Sequence, residues 1–220
     1  MIELTRIVRS NRKTLALTLN RAGEVIARAP RRMSEESIKA FVLEKQAWLK
    51  KQKEKIEQAG VRLPTENLDG YELLLLGEKY LIRLDEASNI RLDRQKKELF
   101  LPTKNTKKRL VVWLKDNAIR IFSKSIEEWA KRMGVSYQSV ALSSAKTRWG
   151  TCSGENKIRL TYRLLYAPKE VIEYVIVHEL AHTRYKNHGK GFWAFVQEFV
   201  PDYKQKRKWL KERGALMEVF

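Results

Sequence analysis

The sequence predicts an α+β chain: a small mixed sheet over one buried helix, preceded by a β-rich region with long helices. Three observations predict it. Short alternating segments bounded by turn residues fill much of 2–29 and 71–101. Apolar residues recur at helical spacing over 38–56 and again over 110–133. The stretch 171–181 is apolar almost all round, the pattern of a helix enclosed on most sides. The expected division is 1–104, β-rich with one long helix, and 105–220, which carries the chemistry.

The elements follow in order. Residues 2–8, 14–19 and 24–29 read as strands, with 11–13 as a connection, Ala22-Gly23 as a turn and Pro30 closing the set. Ser34 caps a helix: its hydroxyl can accept from first-turn N–H groups, and Glu35 and Glu36 suit the positive end of the helix dipole. Ile38, Phe41, Val42, Trp48, Leu49 and Ile56 form its core stripe, and Gly60 ends it. Residues 61–70, with Pro64 and Gly70, are a loop. Segments 71–76, 78–84, 89–92 and 98–101 are short strands, expected as an antiparallel meander.

A second long helix spans 106–133, with Leu110, Trp113, Leu114, Ile121, Phe122, Ile126, Trp129 and Met133 along one stripe and Gly134 as its stop. It is placed to back the enclosed helix. Residues 139–143 are a strand, and 146–152 with 157–164 form a hairpin across 153–156. The second arm is either an edge strand, open to pairing with an extended peptide, or an inner strand. Pro168 opens the enclosed helix where no N–H is needed. Phe192, Trp193, Phe195, Val196 and Phe199 mark another helix. Pro201 breaks it, and Asp202 caps a last basic helix through Arg213.

Composition narrows the function classes. The net charge is +19, spread over all thirds of the chain. Nucleic acid or a nucleotide is therefore a candidate partner for the basic surface, beside the plainer reading of solvated helix faces. No apolar run approaches the ~20 residues of a membrane span, so no membrane partner is expected. The charged N-terminal residues lack the apolar run of an export signal, and the lone Cys152 suits a reducing compartment. A cytoplasmic location is the expectation. Without a CxxC pair, no cysteine-based zinc finger is available.

All three histidines, His178, His182 and His188, lie within eleven consecutive residues. The first two bracket Glu179 in the pattern H-E-x-x-H. On a helix, positions i and i+4 stack on one face, so both imidazoles can reach one ion. Glu179 projects beside them, towards a water on that ion. A catalytic zinc takes about three protein ligands and leaves one place for water, and a carboxylate alongside can take the water's proton. The pattern therefore predicts a Zn2+-dependent hydrolase. His188 is the expected third ligand, at the separation of H-E-x-x-H-x-x-G-x-x-H; Glu198 competes. Tyr185 stands where that longer pattern has glycine, so the turn is expected at Asn187 or Gly189.

With every histidine on the metal, another donor must face the oxyanion of a tetrahedral intermediate. Arg148, Tyr185, Tyr162 and Arg184 are candidates, Arg148 and Tyr185 the preferred ones. Cys152 is either a fourth, blocking ligand or a small buried residue. Trp149 is either a core anchor or a stacking surface for substrate.

The segments RWGTCS at 148–153, IRLTYRLLYAP at 158–168 and VIVHELAHTRYKNHGKGFW at 175–193 closely resemble the YgjP-like metallopeptidases, relatives of the SprT-like and WLM zinc peptidases. RSNRKT at 9–14 and RAP at 28–30 fit as well, so the resemblance covers most of the chain. Thr151 and Thr161 stand where that family carries Ser and Asn. The resemblance implies a zincin-like domain, zinc on His178, His182 and His188, Glu179 as base, and a peptide or protein substrate. Two alternatives keep the metal and change the substrate: a phosphoanhydride of a nucleoside triphosphate, or protein bound to DNA as in SprT-like proteases. The chain lacks a G-x-x-x-x-G-K-[ST] loop, so a phosphate site would be built from side chains.

Overall fold

A computed structural model of the chain describes residues 2–19, 24–58 and 67–213, with backbone alone for 55–58. The chain forms two compact units, Met1–Arg62 and Leu63–Phe220. The α+β expectation holds in each of them. The boundary falls well before 104, because the four strands over 72–102 are bonded into the second unit: the Leu76 N–H donates to the Leu165 carbonyl at 2.6 Å.

In the first unit, β1 (Leu4–Ser10), β2 (Ala16–Leu19) and β3 (Val25–Pro30) lie in the order β1-β3-β2. β3 is parallel to β1 and antiparallel to β2. Its period-2 side chains Val25, Ala27 and Ala29 are fully buried. Val25 packs with Val42 and Leu49, which come from α1 (Glu35–Glu44) and α2 (Gln46–Gln58). Ser34 caps α1 as expected, its hydroxyl accepting from the Ser37 N–H at 3.2 Å.

The single helix expected from Ser34 to Gly60 is two helices. Lys45 leaves helical geometry at φ −91°, ψ 12°. Gln46 then clasps Ile2: its amide nitrogen donates to the Ile2 carbonyl at 2.8 Å and its amide oxygen accepts from the Ile2 N–H at 2.9 Å. Trp48, expected in the core, is 41% exposed. The Ala22-Gly23 turn, the Ile56 side chain, the Gly60 stop and Pro64 lie outside the described residues.

In the second unit, β4 (Glu72–Leu75), β5 (Glu78–Asp85), β6 (Arg91–Asp93) and β7 (Glu98–Pro102) form a sheet of order β4-β5-β7-β6. The antiparallel meander is thus corrected, since β5 and β7 are parallel neighbours. The short β6 swings outside, and the turn that follows it, held by Asp93 Oδ1 accepting from the Gln95 and Lys96 N–H groups, returns β7 beside β5.

The next helix, α3 (Thr106–Met133), has the expected bounds. It buries Leu110, Leu114, Ala118, Phe122, Ile126, Ala130 and Met133, and Gly134 ends it in left-handed backbone at φ 62°. β8 (Ser139–Ser143), β9 (Gly150–Cys152) and β10 (Lys157–Thr161) form a mixed sheet in which β10 is the inner strand, parallel to β8 and antiparallel to β9. The strand expected to reach Leu164 stops at Thr161. Residues Tyr162–Tyr166 instead wind into a buried 3₁₀ turn that leads through Pro168 into α4 (Lys169–Arg184). Helices α5 (Lys190–Phe199) and α6 (Tyr203–Glu212) follow. Both pack on α4, as do α3 and β9, so the enclosed helix predicted from its apolar surroundings is the centre of this unit. Among the described residues no helix is long and apolar enough to cross a membrane.

Candidate metal centre

Helix α4 buries Val171, Ile172, Tyr174, Val175, Ile176, Val177, Leu180 and Ala181, which turn the histidine face to one side by elimination. Tyr185 ends the helix in extended backbone, φ −123°, ψ 105°. No left-handed residue is needed there, which is why tyrosine can replace the glycine of the longer pattern. Nor does the turn use left-handed backbone at Asn187 or Gly189, contrary to the expectation from sequence; Gly189 is extended at φ −74°, ψ −176°. The return is made by the extended Tyr185 and by Gly189, which leads straight into α5.

That return brings His188 back over α4. The ligand nitrogens of His178, His182 and His188 all lie within 4.8 Å of one another, and the Nε2 atoms of His178 and His188 face each other at 3.1 Å. Two nitrogens ~2.0–2.1 Å from one tetrahedral ion stand roughly 3.3 Å apart, so the spacing fits a shared cation. Glu198, the competing ligand, is exposed on α5 and outside this group.

The tautomers and charges agree. Nδ1 of His182 lies 3.0 Å from the Tyr185 carbonyl. Donation there leaves Nε2 with its lone pair towards the other rings, as in outer-shell partners of metal histidines. Burial first, then the charges of His182, His188 and Arg207, push the His178 pKa down to about 3. Burial also lowers that of His182. Both shifts favour the neutral ring in His178 and His182, the form that binds metal. Converging lone pairs repel unless a proton or a cation lies between them.

Glu179 is 5% exposed, and burial pushes its carboxyl up to about 8. Against it lies Gly150 of β9: a Cβ there would stand 2.6 Å from Glu179 Oε1. The segment before β9 is tied to the end of β10. Thr161 Oγ1 donates to the Ala145 carbonyl at 3.2 Å, Arg163 Nη1 to the Ser144 carbonyl at 3.2 Å, and the Thr161 N–H to the Trp149 carbonyl at 3.0 Å.

Of the proposed oxyanion donors, Arg148 is exposed two residues before β9. The Tyr185 ring packs on Phe195, with centroids 5.7 Å apart, and the guanidinium of Arg184 lies over it at 5.5 Å. Tyr162 is buried in the 3₁₀ turn. Cys152 is half-buried with Sγ turned to the Ser153 carbonyl at 3.6 Å, and Trp149 is half-buried.

Sequence reading missed the aromatic wall of the site. The Phe192 ring lies 4.6 to 4.9 Å from all three imidazoles. Trp193 lies nearly parallel to His188 at 5.6 Å and stacks on Tyr203 at 5.1 Å. Over Trp193 sits the guanidinium of Arg207 at 5.0 Å. The helical stripe of α5 announced burial of Phe192, but nothing in the spacing said what its neighbours would be.

The family model described as YgjP-like, metallopeptidase domain, matches residues 13–213. The chain belongs to the YgjP-like family. Membership makes it a metallopeptidase-family protein, and the match extends into both units, including β2 and β3 of the first one. No curated protein matches. Two solved structures are similar to the chain. The metallopeptidase zymogen of Pyrococcus abyssi abylysin is 21% identical over 41% of this chain and 93% of its own, with a TM-score of 0.38. That of Methanocaldococcus jannaschii jannalysin is 17% identical over 42% and 95%, also with a TM-score of 0.38.

Proposed function

We propose that this YgjP-like protein is a zinc-dependent peptidase of the cytoplasm that hydrolyses peptide or protein substrates with Glu179 as general base. One observation carries the reading: three imidazoles converge beside a buried carboxyl. The donor set supports zinc among divalent ions, because imidazole suits it and no softer ligand joins the cluster among the described residues. Zinc held by His178, His182 and His188 would polarise the scissile carbonyl and lower the pKa of a water.

The chain's own groups do the rest. A carboxylate oxygen of Glu179 takes the proton of the attacking water and returns it to the leaving amine nitrogen. Burial raises the affinity of that oxygen for a proton, so it can both take and give one near neutral pH. Gly150 leaves room for the carboxyl on the β9 side. Phe192 and Trp193 pack beside the histidines, and Arg148 and Tyr185 supply hydrogen bonds to the developing oxyanion.

The test is Glu179→Gln. Hydrolysis of an unfolded protein such as casein should fall by roughly 10²- to 10⁴-fold, with zinc staying near one per chain. Full activity in that variant would end the assignment. The same preparations, offered nucleoside triphosphates and duplex DNA, separate the peptidase reading from phosphoanhydride hydrolysis and from DNA-linked proteolysis. A DNA-linked enzyme would bind with a steep salt dependence.

A further inference from the structure

Helix α6 lies outside the metal-binding motif, yet it packs on α4 beside the histidines. Its cations are not equivalent. Lys206 is engaged with Asp202 one turn earlier, and Lys208 lies 3.9 Å from Glu212. Between them Arg207 turns to the indole of Trp193, its guanidinium carbon 5.0 Å from the ring centroid. The same indole is 5.6 Å from the His188 ring and 5.8 Å from the His178 ring. One aromatic ring therefore separates a guanidinium from two of the three metal-binding imidazoles.

Arg207 is exposed, and among the described residues it has no carboxylate partner. Trp193 and Tyr203 are themselves stacked at 16°, so the indole beneath the guanidinium is held from α6 as well as α5. A guanidinium on an indole keeps its N–H fork free and directed, and that fork matches a carboxylate with two parallel hydrogen bonds. An extended peptide advances ~3.3–3.6 Å per residue, so groups one to three residues from the scissile bond come within reach of such a site.

We propose that Arg207 is a specificity-determining residue that binds a carboxylate of the substrate close to the cleaved bond. The inference rests on the peptidase reading above and adds a substrate class to it: peptides with a negative charge within about three residues of the scissile bond. The carboxylate comes either from an acidic side chain or from the peptide's own C-terminus.

The experiment uses the zinc-loaded full chain, its Arg207→Gln and Arg207→Lys variants, and matched peptides. One pair differs in Asp against Asn at each position flanking the cleaved bond; the other ends in a free acid or an amide. Wild type should prefer the charged member of one pair by roughly 10- to 100-fold in kcat/KM, carried by KM. Arg207→Gln should abolish that preference and leave neutral peptides within about twofold, with zinc content unchanged. Arg207→Lys should restore only part, because an ammonium cannot grip both oxygens.

Loss of preference in the Asp/Asn pair assigns a side chain, and loss in the acid/amide pair assigns the C-terminus. Equal cleavage of both members by wild type, or an equal fall for charged and neutral peptides in Arg207→Gln, overturns the proposal while leaving the peptidase standing. Wild-type protein that holds zinc and cleaves no peptide overturns the peptidase reading itself.

Discussion

Gly150 and Glu179 meet so closely that a Cβ on the glycine would lie 2.6 Å from Oε1 and 2.8 Å from Cγ of the carboxylate side chain. Real Cβ contacts do not come so near, so the glycine of the RWGTC segment is the space in which the carboxyl sits. Backbone freedom is not the reason, since Gly150 is not among the left-handed residues. Replacing it with alanine should swing the carboxyl aside. We expect Gly150→Ala to lower kcat by roughly 100-fold, as misplacement by about 1 Å typically does. KM should change little and zinc content not at all. Steady-state kinetics with metal analysis checks this; near wild-type kcat would mean that the carboxyl has freedom to spare.

His188 and Glu198 make opposite predictions for the third ligand. His188→Ala should weaken zinc binding by more than the roughly 10- to 100-fold that loss of an outer-shell partner costs. Glu198→Ala should leave affinity as it is, since that carboxylate is exposed and outside the cluster. Competition against a coloured chelator measures both.

Burial of Glu179 makes metal-free stability depend on pH. Its carboxyl titrates near 4.5 when exposed and is pushed up to about 8 in the fold. The folded state then binds the extra proton, so the stabilising contribution is complete below about pH 4.5 and is lost as pH rises to about 8. His178, depressed to about 3, acts in the opposite sense: its contribution is present above its ordinary value of 6.5 and is lost as pH falls towards 3. Comparing wild type with Glu179→Gln isolates the first effect. Metal-free Glu179→Gln should be the more stable of the two at pH 8, by a few kcal/mol at most, with the gap closing towards pH 4.5. Urea denaturation at both pH values reads this out.

Gly77 joins the four-stranded sheet to the start of α4. It turns at φ +82°, and a Cβ there would approach the Pro168 Cα at 2.9 Å. Pro168 is the residue from which α4 starts. Gly77→Ala therefore combines left-handed strain with a backbone clash and should cost about 2–4 kcal/mol. A lowered midpoint in urea with an unchanged slope would bear this out.

Features with a local cause are legible in the sequence. The bounds of α3 follow from its own stripe and from Gly134, whose conformation any helix end of this kind demands. The Ser34 cap needs only a hydroxyl three residues before an N–H. The H-E-x-x-H spacing needs only the pitch of a helix. Features that a distant partner decides are not legible there. The break at Lys45 coincides with the clasp between Gln46 and Ile2, which lie 44 residues apart. The order β4-β5-β7-β6 depends on which side β6 takes, and alternation reads the same in either order. β10 gives way to a 3₁₀ turn where Arg163 reaches the Ser144 carbonyl, 19 residues back.

By itself the chain's sequence determined the candidate ligand set. It holds all three histidines in one short run, two of them at a spacing that a helix converts into a shared face. Tertiary structure alone decided how that set is housed. Only folding brings Gly150 against Glu179, Phe192 against three imidazoles, and Arg207 to within one ring of two of them. The physical reason is range: helical pitch and turn geometry act over a few residues and are written into spacing, whereas approaches across 29 positions, from Gly150 to Glu179 and again from His178 to Arg207, depend on packing that no local pattern encodes.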